Sequence, residues 1–354
     1  MGKFWVHKIL AFIVVVALAA GCSVTNHSIN VDDSIDIATD TDDHSPFKTD
    51  EKNTVVMGTM SHSFKNVHFN EKGQVQPLQY NGGELSVDYS VTASGKAKNV
   101  GFFIFVDGIP QPYKLNTTDA PYEYMHIFEL IEDDKEMPFT FVFTPVAGKK
   151  GETLHVSVSS IYNPGFRPDM KESSSYGGYH ETLESGISLI FNQDAEETDF
   201  TSIVQQEVIS KVEISTEPVT NELLEKYSSS KGLDTTALGK NVFTELLVDN
   251  EVRYQNFQVN KNGVLHVTFK MFGHPGVQYK NTLYINHNAL THSDSSSFET
   301  AITEGNVSVV KAEIKLDNLK DFSTFYVVSV PLNADDFPND AILLSKTPSL
   351  LLYK

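Results

Sequence analysis

From residue 54 onward the hydrophobic pattern of this chain repeats every two residues. Leu85, Val87, Tyr89 and Val91 alternate with Ser86, Asp88 and Ser90. Leu154, Val156 and Val158 alternate with His155, Ser157 and Ser159; Leu265, Val267, Phe269 and Met271 alternate with His266, Thr268 and Lys270. Successive side chains of a strand point to opposite faces, so each run reads as a strand with one buried face. Gly101–Val106 (GFFIFV) is apolar on both phases, which suits a central strand. Asp107-Gly108 follows as a tight hairpin turn. Ile109–Leu115 is then the return strand, and Pro110 and Pro112 mark it as an edge or irregular segment.

The pattern comes in two similar halves. The first runs GELSVDYSV, a polar loop, then NVGFFIFVDGIPQPY; the second runs GVLHVTFKM, a polar loop, then NTLYINHNALTH. Farther on, FELIEDDKEMPFTFVFTP matches IKLDNLKDFSTFYVVSVP, which pairs Pro145 with Pro331. The order of features is kept with a small drift, as in tandem degenerate repeats. Many short strands with turns between them predict a mostly β protein of two antiparallel β-sandwich domains, resembling immunoglobulin-like domains at the level of fold; barrels stay open. The sandwiches are placed at 54–195 and 241–354, with a connector at 196–240. Within the connector, Val204–Ile214 reads as a strand. Glu217–Tyr227 reads as a short helix with Thr216 as N-cap and Pro218 in its first turn, broken by Ser228–Gly232.

The N-terminus has a different character. Lys3 and Lys8 precede an unbroken apolar run, Ile9–Ala20, followed by Gly21 and Cys22. This is the layout of a signal peptide over residues 1–21. The apolar run spans about 18 Å as a helix, against a hydrocarbon core of roughly 30 Å. Ala19-Ala20-Gly21-Cys22, behind Leu18, resembles the lipobox of bacterial lipoproteins, with Ala19 where that family prefers Leu. The resemblance implies a diacylglyceryl group on the Cys22 sulfur, cleavage before it, and a lipid anchor on the extracytoplasmic face of the cell membrane. Two or more acyl chains anchor stably where one binds marginally. Cys22 is the only cysteine, so no intramolecular disulfide forms and the cores hold by packing. Residues 22–53 are polar and acidic, with Asp32, Asp33, Asp36, Asp40, Asp42, Asp43 and Asp50, and read as a flexible tether. Asp40-x-Asp42 invites a calcium loop, but the required glycine and terminal glutamate are missing.

Charge narrows the partners. The formal net charge is −19, from 27 basic and 46 acidic residues. This argues against nucleic acid as a partner, because its phosphates would be repelled, and disfavours attraction to anionic lipid. Arg167 and Arg253 are the only arginines, a Lys-rich balance that fits a Gram-positive source.

Motifs for chemistry are absent: no nucleophile elbow, Walker loop, CxxC pair or HExxH occurs, and His180-Glu181 continues Thr-Leu-Glu. His62 and His68, or His287 and His292, match no metal-ligand spacing and read as solvent-facing, as do His155 and His266. Glu132-Asp133-Asp134 and Asp335-Asp336 read as turn acids. No metal, cofactor or catalytic residue is expected. The most suggestive segment is Tyr162–His180 (YNPGFRPDMKESSSYGGYH), where Tyr162, Phe166, Arg167, Tyr176, Tyr179 and His180 form a candidate binding surface. Asn333–Asp340 (NADDFPND) is its shorter counterpart in the second half. Trp5 is the only tryptophan and lies in the signal, which weighs against sugar stacking. The expectation is a non-catalytic surface lipoprotein that presents two sandwiches to a protein partner. The alternative is capture of a cell-wall glycan or peptide; a hydrolase, built on His180 or His126 beside a carboxylate, ranks last.

Overall fold

A computed structural model describes residues 59–95, 99–130, 133–165, 182–196, 208–231, 239–252, 256–259, 263–292, 295–316 and 319–354. The signal peptide, Cys22 and the tether lie outside the described residues.

The first half is built from β1 (Thr59–Phe64), β2 (Leu78–Tyr80), β3 (Leu85–Ser94), β4 (Asn99–Val106), β5 (Ile109–Gln111), β6 (Lys114–Leu115), β7 (His126–Glu129), β8 (Met137–Phe143), β9 (Thr153–Tyr162) and β10 (Glu184–Phe191). One sheet has the order β1-β3-β8-β6; the other has β2-β10-β9-β4-β5, with β7 also on β4. The alternating runs put Val87, Tyr89 and Val91 of β3 opposite Val156 and Val158 of β9 in a single core. Pro112 falls where the return strand leaves one sheet for the other: β5 pairs with β4, and β6 pairs with β8.

The second half adds β11 (Val208–Pro218), α1 (Asn221–Lys231), β12 (Val242–Val248), β13 (Glu251–Val252), β14 (Asn256–Gln258), β15 (Val264–Gly273), β16 (Gln278–Ile285), β17 (Asn288–Ala289), β18 (Phe298–Ala301), β19 (Asn306–Lys315), β20 (Phe322–Pro331), β21 (Ser345–Lys346) and β22 (Leu350–Tyr353). Its sheets run β11-β19-β15-β12-β13 and β14-β22-β20-β16-β17. The latter matches β2-β10-β9-β4-β5 place for place. In both, the edge pair is parallel, β2 with β10 and β14 with β22. The protein is thus two β-sandwiches that share the order of this sheet; the facing sheets share β1-β3-β8 with β12-β15-β19 but differ at the edge, taken by β6 in one half and by β11 in the other.

The shared order corrects one sequence match. β20 corresponds to β9, because Val106↔Val156 in one half occupies the place of Ile285↔Phe325 in the other. Pro331 therefore answers Tyr162, not Pro145, which follows β8 in the opposite sheet. An alternating strand followed by proline fits several strands, so the match slipped by one.

The helix is also displaced. Thr216, Glu217 and Pro218 continue the ladder of β11 onto β19, pairing with Ser308, Val307 and Asn306. The helix starts three residues past Pro218, and Thr220, not Thr216, caps it through a bond from the Leu223 N–H to Thr220 Oγ1 (3.2 Å). Strand pairing outweighs the local preference for helix. Leu223, Leu224 and Tyr227 of α1 then cover Phe243, Phe272, Val307 and Val309 on the outer face of the second sandwich. Part of the expected connector is in this way an edge strand and a cover of the second sandwich.

The two-sided apolar strands show where the sandwiches meet. In β4, Phe102, Ile104 and Val106 face the first core, whereas Phe103 and Phe105 face away from it. In β20, Phe325 and Val327 face the second core, whereas Tyr326, Val328 and Val330 face away. These outward residues, with Ile161, Tyr284 and Ala289, form one buried cluster between the halves. The Phe103 and Tyr284 rings lie 4.7 Å apart, and Tyr284 stacks on Tyr326 at 5.3 Å. Each large side chain removed from water contributes about 1.5–3 kcal/mol, so this seam rivals a small core. Phe103→Ala is expected to cost about 3–5 kcal/mol. It should also split one calorimetric unfolding transition into two, since it weakens the seam and leaves both cores intact.

Candidate functional site

Three features stand out around the seam and at one end of the first sandwich. The first is the pair of hairpin turns. Asp107-Gly108 and Asn286-His287 both have positive φ at both positions, 50° and 71° in one and 49° and 67° in the other. Such turns match the twist of the strands they join. Gly108 is required: a Cβ there would sit 2.8 Å from Lys280 Cβ of the other half. Lys280 is 8% exposed, with Asp107 at 3.7 Å and Glu299 at 3.5 Å. The second half puts a histidine where the first has glycine. His287 Nε2 donates to the Pro164 carbonyl of the first half (2.7 Å), and Nδ1 accepts from the Tyr326 hydroxyl (2.8 Å). Those two bonds stabilise a left-handed conformation that a histidine rarely adopts.

Desolvation pulls the His287 pKa down to about 4; the Pro164 bond opposes this and the Lys346 ammonium adds to it. His62 is likewise pulled down to about 4 by desolvation, against the Leu183 carbonyl. Its Nδ1 meets the Tyr89 hydroxyl and its Nε2 meets Ser160 Oγ at 3.1 Å. The reading of His62 and His287 as solvent-facing is therefore corrected: their polarity serves hydrogen bonds inside the fold. His68, His155 and His266 are exposed.

The second feature is the hairpin at 68–76, between β1 and β2. Asn70 organises it: its Oδ1 accepts from the N–H groups of Lys72 (2.9 Å) and Gln74 (3.0 Å), and its carbonyl accepts from Gly73 (2.9 Å). The Gln76 N–H to His68 carbonyl bond (2.8 Å) closes the base. Val67 and Leu78 on either side pack on the first core. The turn so held presents Phe69 and Val75, bridge partners that are 61% and 46% exposed. Single exposed apolar residues are ordinary; here a Phe and a Val are paired on one fixed turn. Beneath it lies a hollow of about 370 Å³, bordered by Phe64, His68, Gln76, Leu78 and Ile187. The sequence reading missed this hairpin. Its signal was Asn70 and Gly73 between two apolar residues.

The third feature is a cleft of about 600 Å³ beside the seam, with Leu183 and Glu184 on one side and Asp335 and Leu343 on the other. Of the candidate surface read from sequence, Tyr162 ends β9 and packs partly against the first core, where burial raises its phenol pKa. Phe166, Arg167, Tyr176, Tyr179 and His180 lie outside the described residues. The counterpart segment forms a short 3-10 turn at Ala334–Asp336.

Two histidines lie near carboxylates. His274 Nε2 meets Asp340 Oδ2 at 3.2 Å while its Nδ1 meets the Pro275 carbonyl. His126 Nδ1 is 3.6 Å from Glu123 Oε2, and its Nε2 meets the Tyr113 carbonyl at 2.9 Å. Each ring spends its second nitrogen on a backbone carbonyl.

The two depressed histidines set a pH dependence. In the unfolded chain they take up protons near pH 6.5, in the folded chain only near pH 4. Between these values the unfolded state binds more protons, so stability is full above pH 6.5 and falls as pH drops toward 4. His287 accounts for on the order of 2–3 kcal/mol of that loss. Urea unfolding at pH 7.5 and pH 4.5 should show it, and His287→Asn should reduce the difference between the two pH values while lowering stability at pH 7.5.

No protein-family model and no curated protein matches the chain. Among solved structures, the chain is similar to the C-terminal domain of the Streptococcus agalactiae AgI/II polypeptide BspA, at 9% identity and a TM-score of 0.21, over 84% of this chain and 100% of that one. It is similar to fibronectin(III)-like modules of Clostridium thermocellum CbhA, at 8% identity and a TM-score of 0.19, over 83% and 93% of the two chains. It is also similar to the C-terminal domain of the Streptococcus pyogenes antigen I/II-family protein AspA, at 6% identity and a TM-score of 0.19, over 84% and 99%. The assignment as a double β-sandwich stands on the strand orders described above.

Proposed function

We propose that this chain is an exported lipoprotein, held on the outer face of the cell membrane by lipid on Cys22, whose two-sandwich body makes protein contacts without catalysis. One observation carries the anchor: the only cysteine follows Ala19-Ala20-Gly21 at the end of the apolar run behind Lys3 and Lys8. The acidic tether after it, about 30 residues long, gives the body a mean reach near 30 Å from the lipid surface.

The contact role is supported by the hairpin at 68–76. An apolar pair on a turn with its own hydrogen bonds loses little freedom on binding, which favours association. The non-catalytic reading is supported by the histidines near carboxylates. A general base needs a nitrogen within reach of substrate, and His126 and His274 have both nitrogens facing protein groups.

Cys22→Ala is expected to shift the protein from the membrane fraction to the soluble fraction of the cells or medium. Persistence in the membrane with unchanged migration would remove the anchor from the reading. For the contact role, a photo-crosslinking amino acid placed at Phe69 in intact cells should give a recurrent protein adduct that Val75→Asp abolishes. The same adduct from a probe at Ile214, which is also exposed, would show that the hairpin is not the contact surface.

A further inference from the structure

The cleft beside the seam has a more defined chemistry than the hairpin. Its two walls come from different sandwiches and are tied together: the Leu344 N–H donates to Glu184 Oε2 at 2.8 Å. The cleft is thereby preformed. Leu183 is fixed on one wall, since its N–H donates to Ser160 Oγ (3.1 Å) and its carbonyl accepts from the Ser160 N–H (3.0 Å). On the other wall the Leu343 carbonyl accepts from the Tyr279 hydroxyl (3.2 Å). Even so, the two residues are 46% and 63% exposed. Two leucines held on opposite walls of one cleft, and left open to water, are a surface that an apolar group can cover. His155 has its place in the cleft because residue 186 is glycine; a Cβ there would lie 2.3 Å from the His155 Nε2.

The charge is one-sided. Among the described lining residues the carboxylates are Glu184 and Asp335, and none is Lys or Arg. Glu184 gives its Oε2 to the Leu344 N–H. A volume of about 600 Å³ lies within the range of pockets that take small ligands, roughly 300–1,000 Å³.

We propose that this cleft binds a short peptide segment with an aliphatic side chain next to a positive charge. The aliphatic group covers Leu183 and Leu343, and the ammonium or guanidinium group meets Glu184 and Asp335. The site goes beyond the anchored contact protein described above and shares no residue with the 68–76 hairpin, so each can fail alone.

The test is fluorescence anisotropy with the full chain in detergent at 0.15 M salt, using fluorescein-labelled Leu-Lys-Leu-Lys, Leu-Glu-Leu-Glu and Ser-Lys-Ser-Lys. The first peptide is expected to bind about tenfold or more tightly than either of the others. Leu343→Ser should weaken it by about tenfold, and Asp335→Lys should shift the preference toward Leu-Glu-Leu-Glu. Both positions lie at the surface, and an unchanged urea midpoint confirms that each variant folds. Equal binding of Ser-Lys-Ser-Lys would mean general attraction to an acidic protein and would overturn the proposal. Absence of binding, or binding that neither variant alters, would overturn it too.

Discussion

The interaction on which the body depends is the burial of a second apolar face on strands that already contribute to a core. β4 and β20 each spend one phase of side chains inside their own sandwich and the other between the sandwiches. A sheet with Phe103, Phe105 and Ile161 on its outside cannot face water without a large exposed patch. The second half supplies the matching face through Tyr284, Tyr326, Val328 and Val330. Packing the two against each other turns a liability of each half into the main constraint on the whole. The walls of the cleft, the strained turn at His287 and the burial of Lys280 all follow from that contact.

The turns show how two halves that share one sheet order differ. Gly108 admits close approach of Lys280, with an aspartate beside it. Its counterpart His287 instead fills space and reaches the Pro164 carbonyl. The first solution relies on absence of a side chain, the second on a hydrogen-bonded ring that must stay neutral. The second is the more fragile, because protonation places a charge beside Lys346 in a poorly solvated position.

Much of the fold was legible in sequence for a physical reason. Period-two alternation records which face of a strand is dry, and Leu85–Val91 and Leu265–Met271 recorded it faithfully. GFFIFV was rightly read as central, yet the sequence could not say that its second dry face belonged to another sandwich. The slip that paired Pro145 with Pro331 has the same origin: alternation identifies a face but not a sheet. The helix start was misplaced because strand pairing at Glu217 and Pro218 is a long-range effect. The contact features were the least legible. Phe69 and Val75 sit among polar residues and become a surface only when Asn70 closes the turn. Leu183 and Leu343 are far apart in the chain and meet only across the cleft.

The reciprocity of the seam has a consequence for assembly. Each half offers the outer face of its equivalent sheet, and each half's hairpin turn lands on the other half: Gly108 on Lys280 and Leu332, His287 on Pro164. That is the geometry of an isologous contact, in which one patch pairs with itself. A separate unit with this patch would pair with a second copy only as far as its concentration allowed. Joining two copies in one chain makes the encounter intramolecular, with an effective concentration on the order of millimolar for a short connection. At concentrations where two separate subunits would drift apart, such a fused pair stays assembled.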